Sequence, residues 1–330
     1  MSHASPIPSQ IDLLYFGKLP SRGDFVRSAQ HPALLDVLDR WQSQTLERLS
    51  GDPRWKLVYD EAPAIAFAVL GTDSSVGLAG HWLSSQDASG RRFPFVTAGA
   101  FDLQKPQQAA VLSPLALDAL WHHLAQLGQA AHAASDLNEV QARLQAPVDV
   151  RLDFDAARER LSTFMDSHTV AGLEQMLAAG GNRLSVRQAV LALGVLLRPA
   201  LVQGGQRMSK MLCLPLPGEP SLRAQVASWW LLLTLGFFTR HAVELGLFLP
   251  VRSGPPQLLL GFQGASAVTL EAIIDPAGVQ RNGVSLVDAA WVEGEVQSDV
   301  GLRKLSTYLQ DPGLSLAQAV RTFQEVFSGV

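Results

Sequence analysis

Between Arg223 and Arg240 the chain runs for sixteen residues, AQVASWWLLLTLGFFT, without a charged side chain. Nothing else in the sequence limits the fold so tightly. A helix that is apolar on every side has to lie within a large core or within a bilayer. Spanning the hydrocarbon takes about 20 apolar residues, and this run is broken by Gln225, Ser228, Thr234 and Gly236. The reading is therefore a core helix, with no membrane insertion. At 330 residues, 47% of them hydrophobic and 17% charged, the chain can bury such a helix without disulfides or metals.

The charge balance narrows the function. The formal net charge is −4 and the basic residues are scattered, so no nucleic-acid footprint is expected. The single cysteine, Cys213, excludes an intramolecular disulfide. Residues 1–10, MSHASPIPSQ, lack the basic-then-apolar build of a signal peptide and read as a flexible tail, which makes the cytoplasm the expected compartment.

Periodicity supplies the elements. A strand is expected over Ile11–Phe16, then a long loop through Gly17–Asp24, then a helix over Pro32–Leu49. Short apolar runs at Ala64–Leu70, Val76–Leu83 and Phe95–Phe101 read as strands buried on both faces. Helical patterns cover Leu115–Ala131, Leu137–Leu144 and Ser185–Leu197. Strands recur at Met208–Leu214, Glu244–Leu249 and Gln257–Phe262, with the tryptophan-bearing helix among them. Neither strand group alone can cover its own faces, so both are expected in one mixed sheet, a three-layer α/β/α sandwich. Residues 11–275 form the body, 132–200 a largely helical insertion, and 276–330 a C-terminal extension with turns at Asp275–Gly278 and Asn282–Gly283. The extension ends in an amphipathic helix. Ser315 and Gln318 make a capping box there, and Leu316, Ala319, Val320, Phe323, Val326 and Phe327 make a stripe that packs on this chain or on a partner.

Motifs for catalysis or cofactors fail one by one. Gly17-Lys18 is followed by Leu19 where a phosphate loop needs Ser or Thr, and Gly71–Gly80 lacks dinucleotide spacing. There is no GxSxG, no HxxxH and no HExxH; adjacent His122 and His123 point about 100° apart on a helix. Cys213 lies in an apolar run as an inert thiol, and Asp60-Glu61 has no flanking acid/base feature. No catalytic residue, cofactor or metal is expected.

Two polar loops stand out between apolar segments: YFGKLPSRGDFV from Tyr15 to Val26, and SQDASGRRFPF from Ser85 to Phe95. Together they resemble the TagF/ImpM family of type VI secretion accessory proteins, whose signatures read YGKLPSRGDF and SxDxxGRxFP. The first matches at nearly every position; the second keeps Ser85, Asp87, Gly90, Arg91, Phe93 and Pro94 in spacing. Ser228-Trp229-Trp230 resembles the family's tryptophan pair, while Gly246–Pro250 departs from its shorter GLP-type segment.

The resemblance implies an α/β sandwich and a regulator, generally a repressor, of secretion-apparatus assembly. It also implies a cytoplasmic partner, the FHA-domain scaffold protein, and no enzymatic activity. An enzyme acting on a phosphorylated or nucleotide ligand at the same loops is the alternative. The residues expected to cluster are Lys18, Arg22, Asp24, Asp87, Arg91 and Arg92. In a structural reading Asp24 and Asp87 hold the loops by accepting bonds from backbone and from Arg22 or Arg91. In a functional reading at least one arginine is left to recognise an acidic or phosphorylated surface. Arg92, at the variable position of its motif, is the one expected to face solvent.

Overall fold

The computed structural model describes residues 11–136, 138–205 and 208–327; the tail expected at 1–10 lies outside them. The chain begins with β1 (Asp12–Gly17) and a two-residue β2 (Val26–Arg27) on either side of the first polar loop. Helices α1 (Pro32–Leu49) and α2 (Trp55–Asp60) lead into β3 (Ile65–Gly71), β4 (Val76–Leu83) and β5 (Phe95–Asp102). A helical stretch follows: α3 (Pro106–Ala116), α4 (Asp118–Ala133), α5 (Asn138–Gln145), α6 (Phe154–Ser167), α7 (Val170–Ala179), α8 (Val186–Leu197) and the short α9 (Ala200–Gln203). Next come β6 (Met211–Pro215), α10 (Pro220–Leu235), β7 (Glu244–Pro250) and β8 (Gln257–Gly261). The chain ends with α11 (Ala267–Ile274), α12 (Pro276–Asn282), β9 (Gly283–Ser285), α13 (Val292–Ser298), α14 (Val300–Leu309) and α15 (Leu316–Phe327).

All the described strands join one nine-stranded sheet in the order β2-β1-β5-β4-β3-β7-β8-β6-β9. Every pairing is antiparallel except β6 with β9. The fold is α/β with an open mixed sheet. Alternation along the strands sends Leu14, Phe67, Val96 and Phe248 toward one face, where α1 and α11 lie, and Ala68, Ala79, Leu247 and Leu260 toward the other, under α3 and α4. Helix α10 packs against α3 and α6, and Trp229 and Trp230 are both fully buried. The uncharged run is therefore core. By length and composition alone, 186–203 is also apolar enough to cross a membrane; within it α8 carries six successive buried residues, Ala189–Gly194, and Pro199 interrupts the stretch.

Several elements differ from the sequence reading. The helix expected over Leu115–Ala131 is two, because the chain turns at Leu117 between α3 and α4. Helices α6 and α7 are not individually placed by the sequence reading, although Ala157, Leu161 and Phe164 recur at helical spacing in α6; their starts are set by side-chain caps: Asp153 accepts from the Ala156 N–H at 2.9 Å and Thr169 from the Gly172 N–H at 3.1 Å. Asp275–Gly278 is not an open turn. Asp275 caps α12 by accepting from the Ala277 N–H at 3.0 Å, and Asn282-Gly283 is where that helix passes into β9. Strand β9 and helices α13 to α15 lie beyond residue 275, yet β9 extends the sheet and α15 packs on α6, α10 and α14. The capping box forms, with Ser315 Oγ accepting from Gln318 N at 3.2 Å and Gln318 Oε1 from Ser315 N at 3.0 Å. The α15 stripe is covered by this chain: Phe323 lies 5.8 Å from Phe237, edge to face.

Candidate functional site

The pairing of β1 with β5 carries the two polar loops to one end of the sheet, since Gly17 stands opposite Phe95. The approach is too close for a side chain: a Cβ on Gly17, whose φ is +138°, would fall 1.9 Å from the Pro94 carbonyl oxygen. Lys18 N–H donates to that same carbonyl at 3.3 Å. Gly90, with φ +79°, makes the tight turn that lets the second loop fold back on itself.

Asp87 is the centre of the arrangement. Its Oδ1 accepts from Ser89 N (3.0 Å), Ser89 Oγ (2.7 Å) and Arg91 N (3.0 Å), and its Oδ2 from Lys18 Nζ (3.0 Å) and Arg91 Nε (2.7 Å). Burial alone would raise this carboxyl, but the bonds from Ser89, Lys18 and Arg91 outweigh it and hold the group far below the usual carboxylate range. Around it the loops are tied through backbone. Ala88 N–H donates to Arg22 O at 2.8 Å, Arg91 Nη2 to Gly23 O at 2.7 Å, and Ser85 Oγ to Lys18 O at 2.7 Å. Beneath them, buried Tyr59 donates its hydroxyl to Ser85 O (3.0 Å) and accepts from Ser85 N (2.9 Å). Burial raises the Tyr59 phenol well above its ordinary value, so it is a fixed neutral partner.

The six expected residues divide sharply. Lys18, Asp87 and Arg91 form the clamp, and Arg22 joins it through its carbonyl while its guanidinium reaches Asp136 at 3.5 Å. Asp24 does not: it is exposed and, among the described residues, accepts only from the next N–H, of Phe25, at 2.8 Å. Arg92 does not face solvent freely either. Its Nε and Nη2 grip both oxygens of Asp60 at 2.8 and 2.6 Å, and its side chain is 25% exposed against 64% for Arg91. Sequence reasoning missed Phe25, which is 43% exposed; it stacks on Phe16 at 5.5 Å, meets Phe93 edge-on at 4.8 Å and lies under Lys18 Nζ at 5.1 Å. An exposed phenylalanine within the first motif was the available signal. Tyr59 carried none, because its role depends on the α2 helix meeting the second loop.

Chemically, the arrangement is a brace with an outward face. A carboxylate with five donors and a depressed pKa has no lone pair to spare as a general base at neutral pH. What reaches solvent is the Phe25 ring, with the side chains of Arg91 and Arg22 64% and 41% exposed and the Asp24 carboxylate exposed in the same loop.

Residues 15–147 match the family described as TagF N-terminal domain, Type VI secretion system-associated. They carry both loops, strand β5 and the whole Asp87 clamp. This part of the chain is a TagF N-terminal domain. The TagF region contributes the second half of β1 and all of β2 to β5 to the sheet, and the remaining strands complete it from outside the match. No curated protein matches the chain significantly in sequence. Among solved structures, the chain is similar to PA0076 from Pseudomonas aeruginosa PAO1, at 22% identity and a TM-score of 0.36, over 43% of this chain and 65% of that one. The chain thus spans a little under two thirds of that protein's length.

Proposed function

We propose that this protein is a non-catalytic, cytoplasmic accessory of a type VI secretion system that restrains assembly of the apparatus by binding one of its components, the FHA-domain scaffold. The TagF N-terminal domain supports the association with secretion. The observation that carries the binding surface is Phe25, exposed at 43% yet held rigid by Phe16 and Phe93, with exposed Arg91 and Arg22 beside it. Rigid aromatics flanked by arginine are what protein interfaces use as anchors, and the arginines favour an acidic or phosphorylated partner face.

The test begins in the native host. Deleting the gene raises secretion, and overproducing the protein suppresses it. Phe25→Ala and Arg91→Ala are then made separately, with melting temperatures measured first. An interface anchor contributes about 2 kcal/mol or more, enough to weaken binding over tenfold, so the folded Phe25→Ala protein loses suppression and no longer retains the scaffold in a pull-down. If both variants fold and suppress normally, the surface lies elsewhere. Purified wild-type protein should also leave ATP, GTP and phosphopeptides unhydrolysed; turnover that Arg91→Ala abolishes would replace this reading with an enzyme.

A further inference from the structure

A cavity of about 460 Å³ opens between α4, the first turns of α10 and the ends of β3 and β7. It exists because small side chains meet there: Ala66 on the sheet faces Ala125 on α4 and Ala224 and Ala227 on α10. Its size falls within the range of small-molecule sites, and Trp121 and Leu249 add to a mostly hydrocarbon wall. None of the six loop-cluster residues lines it.

Four basic side chains interrupt that wall: His81, Arg223, Arg252 and, toward the rim, His122. His81 is 4% exposed and its Nδ1 has no hydrogen-bond partner among the described residues. Burial depresses its pKa to about 4, so at neutral pH the ring is uncharged. Arg223 donates to the carbonyls of Pro217 (3.1 Å) and Gly218 (2.8 Å), which fix its guanidinium without neutralising it. Arg252 has less: its Nε and Nη2 are shielded from solvent and unpartnered among the described residues. Asp275, the carboxylate that acts on Arg252 from a distance, is engaged by Arg281 at 2.6 Å. Asp118 at the rim has a half-exposed side chain and lies 3.7 Å from His122. Two guanidinium charges thus share one cavity wall with no carboxylate bonded to either among the described residues. Screening such charges from water is unfavourable unless an anion compensates them.

We propose that this cavity binds a small organic carboxylate, its hydrocarbon part against Ala66, Trp121 and Leu249 and its charge taken up by Arg252 and Arg223. Binding turns the Nε–Nη2 edge of Arg252 toward the cavity, the same edge with which Arg92 holds both oxygens of Asp60. The apolar wall selects against inorganic phosphate, which has no hydrocarbon part to bury. His81 adds a neutral donor or acceptor for a hydroxyl or carbonyl on the body of the ligand.

Isothermal titration of the full chain with octanoate, 1-octanol and inorganic phosphate tests this independently of the loop surface. Octanoate binds saturably, octanol at least tenfold more weakly, and phosphate not at all. Arg252→Met weakens octanoate at least tenfold while the melting temperature stays level or rises, because an uncompensated charge has been removed. Should that variant misfold, Ala125→Phe, which fills the cavity from α4, decides the matter by abolishing octanoate binding. Equal affinity for octanol and octanoate, binding of phosphate instead, no saturable octanoate binding, or undiminished binding in a folded variant would each overturn the proposal.

Discussion

The Lys18 ammonium lies 3.0 Å from the Asp87 carboxylate across 69 residues of sequence, and both side chains are almost wholly buried. This pair joins the two motifs of the TagF domain. It also makes the domain acid-sensitive. A carboxyl whose folded pKa is depressed contributes stability that is fully present above its unfolded value of about 4 and is lost as pH falls toward the folded value. Chemical-denaturation midpoints between pH 5 and pH 2 should therefore drop for the wild type and drop less for Asp87→Asn. At pH 7 that variant melts lower by roughly 5 °C, since Lys18 is left buried without its counter-charge. A pH profile parallel to the wild type would show that the clamp does not stabilise the fold.

Tyr59 should be costly to shorten by one atom. Its hydroxyl bonds both the carbonyl and the N–H of Ser85, so Tyr59→Phe leaves the buried Ser85 N–H unmatched, while the carbonyl keeps the bond from Phe93 N–H at 3.0 Å. The expected loss is about 1–3 kcal/mol in urea unfolding, with hydrogen exchange of the Ser85 amide accelerated. Loss below a few tenths would mean that water replaces the hydroxyl.

Arg92 and Asp60 form a two-point ion pair near the surface. Solvent screening limits such a pair to about 1 kcal/mol or less even with good geometry. A double-mutant cycle of Arg92→Ala and Asp60→Ala should return a coupling of that size, falling in high salt, while suppression of secretion is unchanged.

The adjacent tryptophans predict an asymmetry. Trp230 Nε1 donates to Pro215 O at 2.9 Å, whereas Trp229 Nε1 has no partner among the described residues, and the two rings lie 4.7 Å apart. Replacement by Phe should cost more at Trp230 than at Trp229, by about 1 kcal/mol, because only there does a buried carbonyl lose its donor. Equal costs would mean that packing volume alone decides both positions.

How much of this was legible beforehand follows from the range of the forces involved. Apolar runs such as Phe95–Phe101 and the uncharged segment in α10 announce burial in their composition, because the hydrophobic effect acts on each segment wherever its partners lie. The two loops were legible as motifs, and the Gly17 and Gly90 positions mark backbone that few other residues tolerate. Composition could not decide which charges meet. Arg91 and Arg92 are neighbours in sequence, yet one bonds Asp87 in its own loop and the other reaches back to Asp60 on α2. Asp24 and Asp87 look alike in their motifs, but only Asp87 is enclosed by donors from both loops. Likewise, Arg252 and Arg223 stand far apart in the chain and carry no local sign that they share a cavity. Ion pairs are short-ranged and depend on direction, so their partners are settled only when the sheet brings its strand ends together. Sequence by itself determined the buried elements, the α/β class and the motif-bearing loops; tertiary structure alone decided which side chains became brace, which became surface, and where the cavity remained.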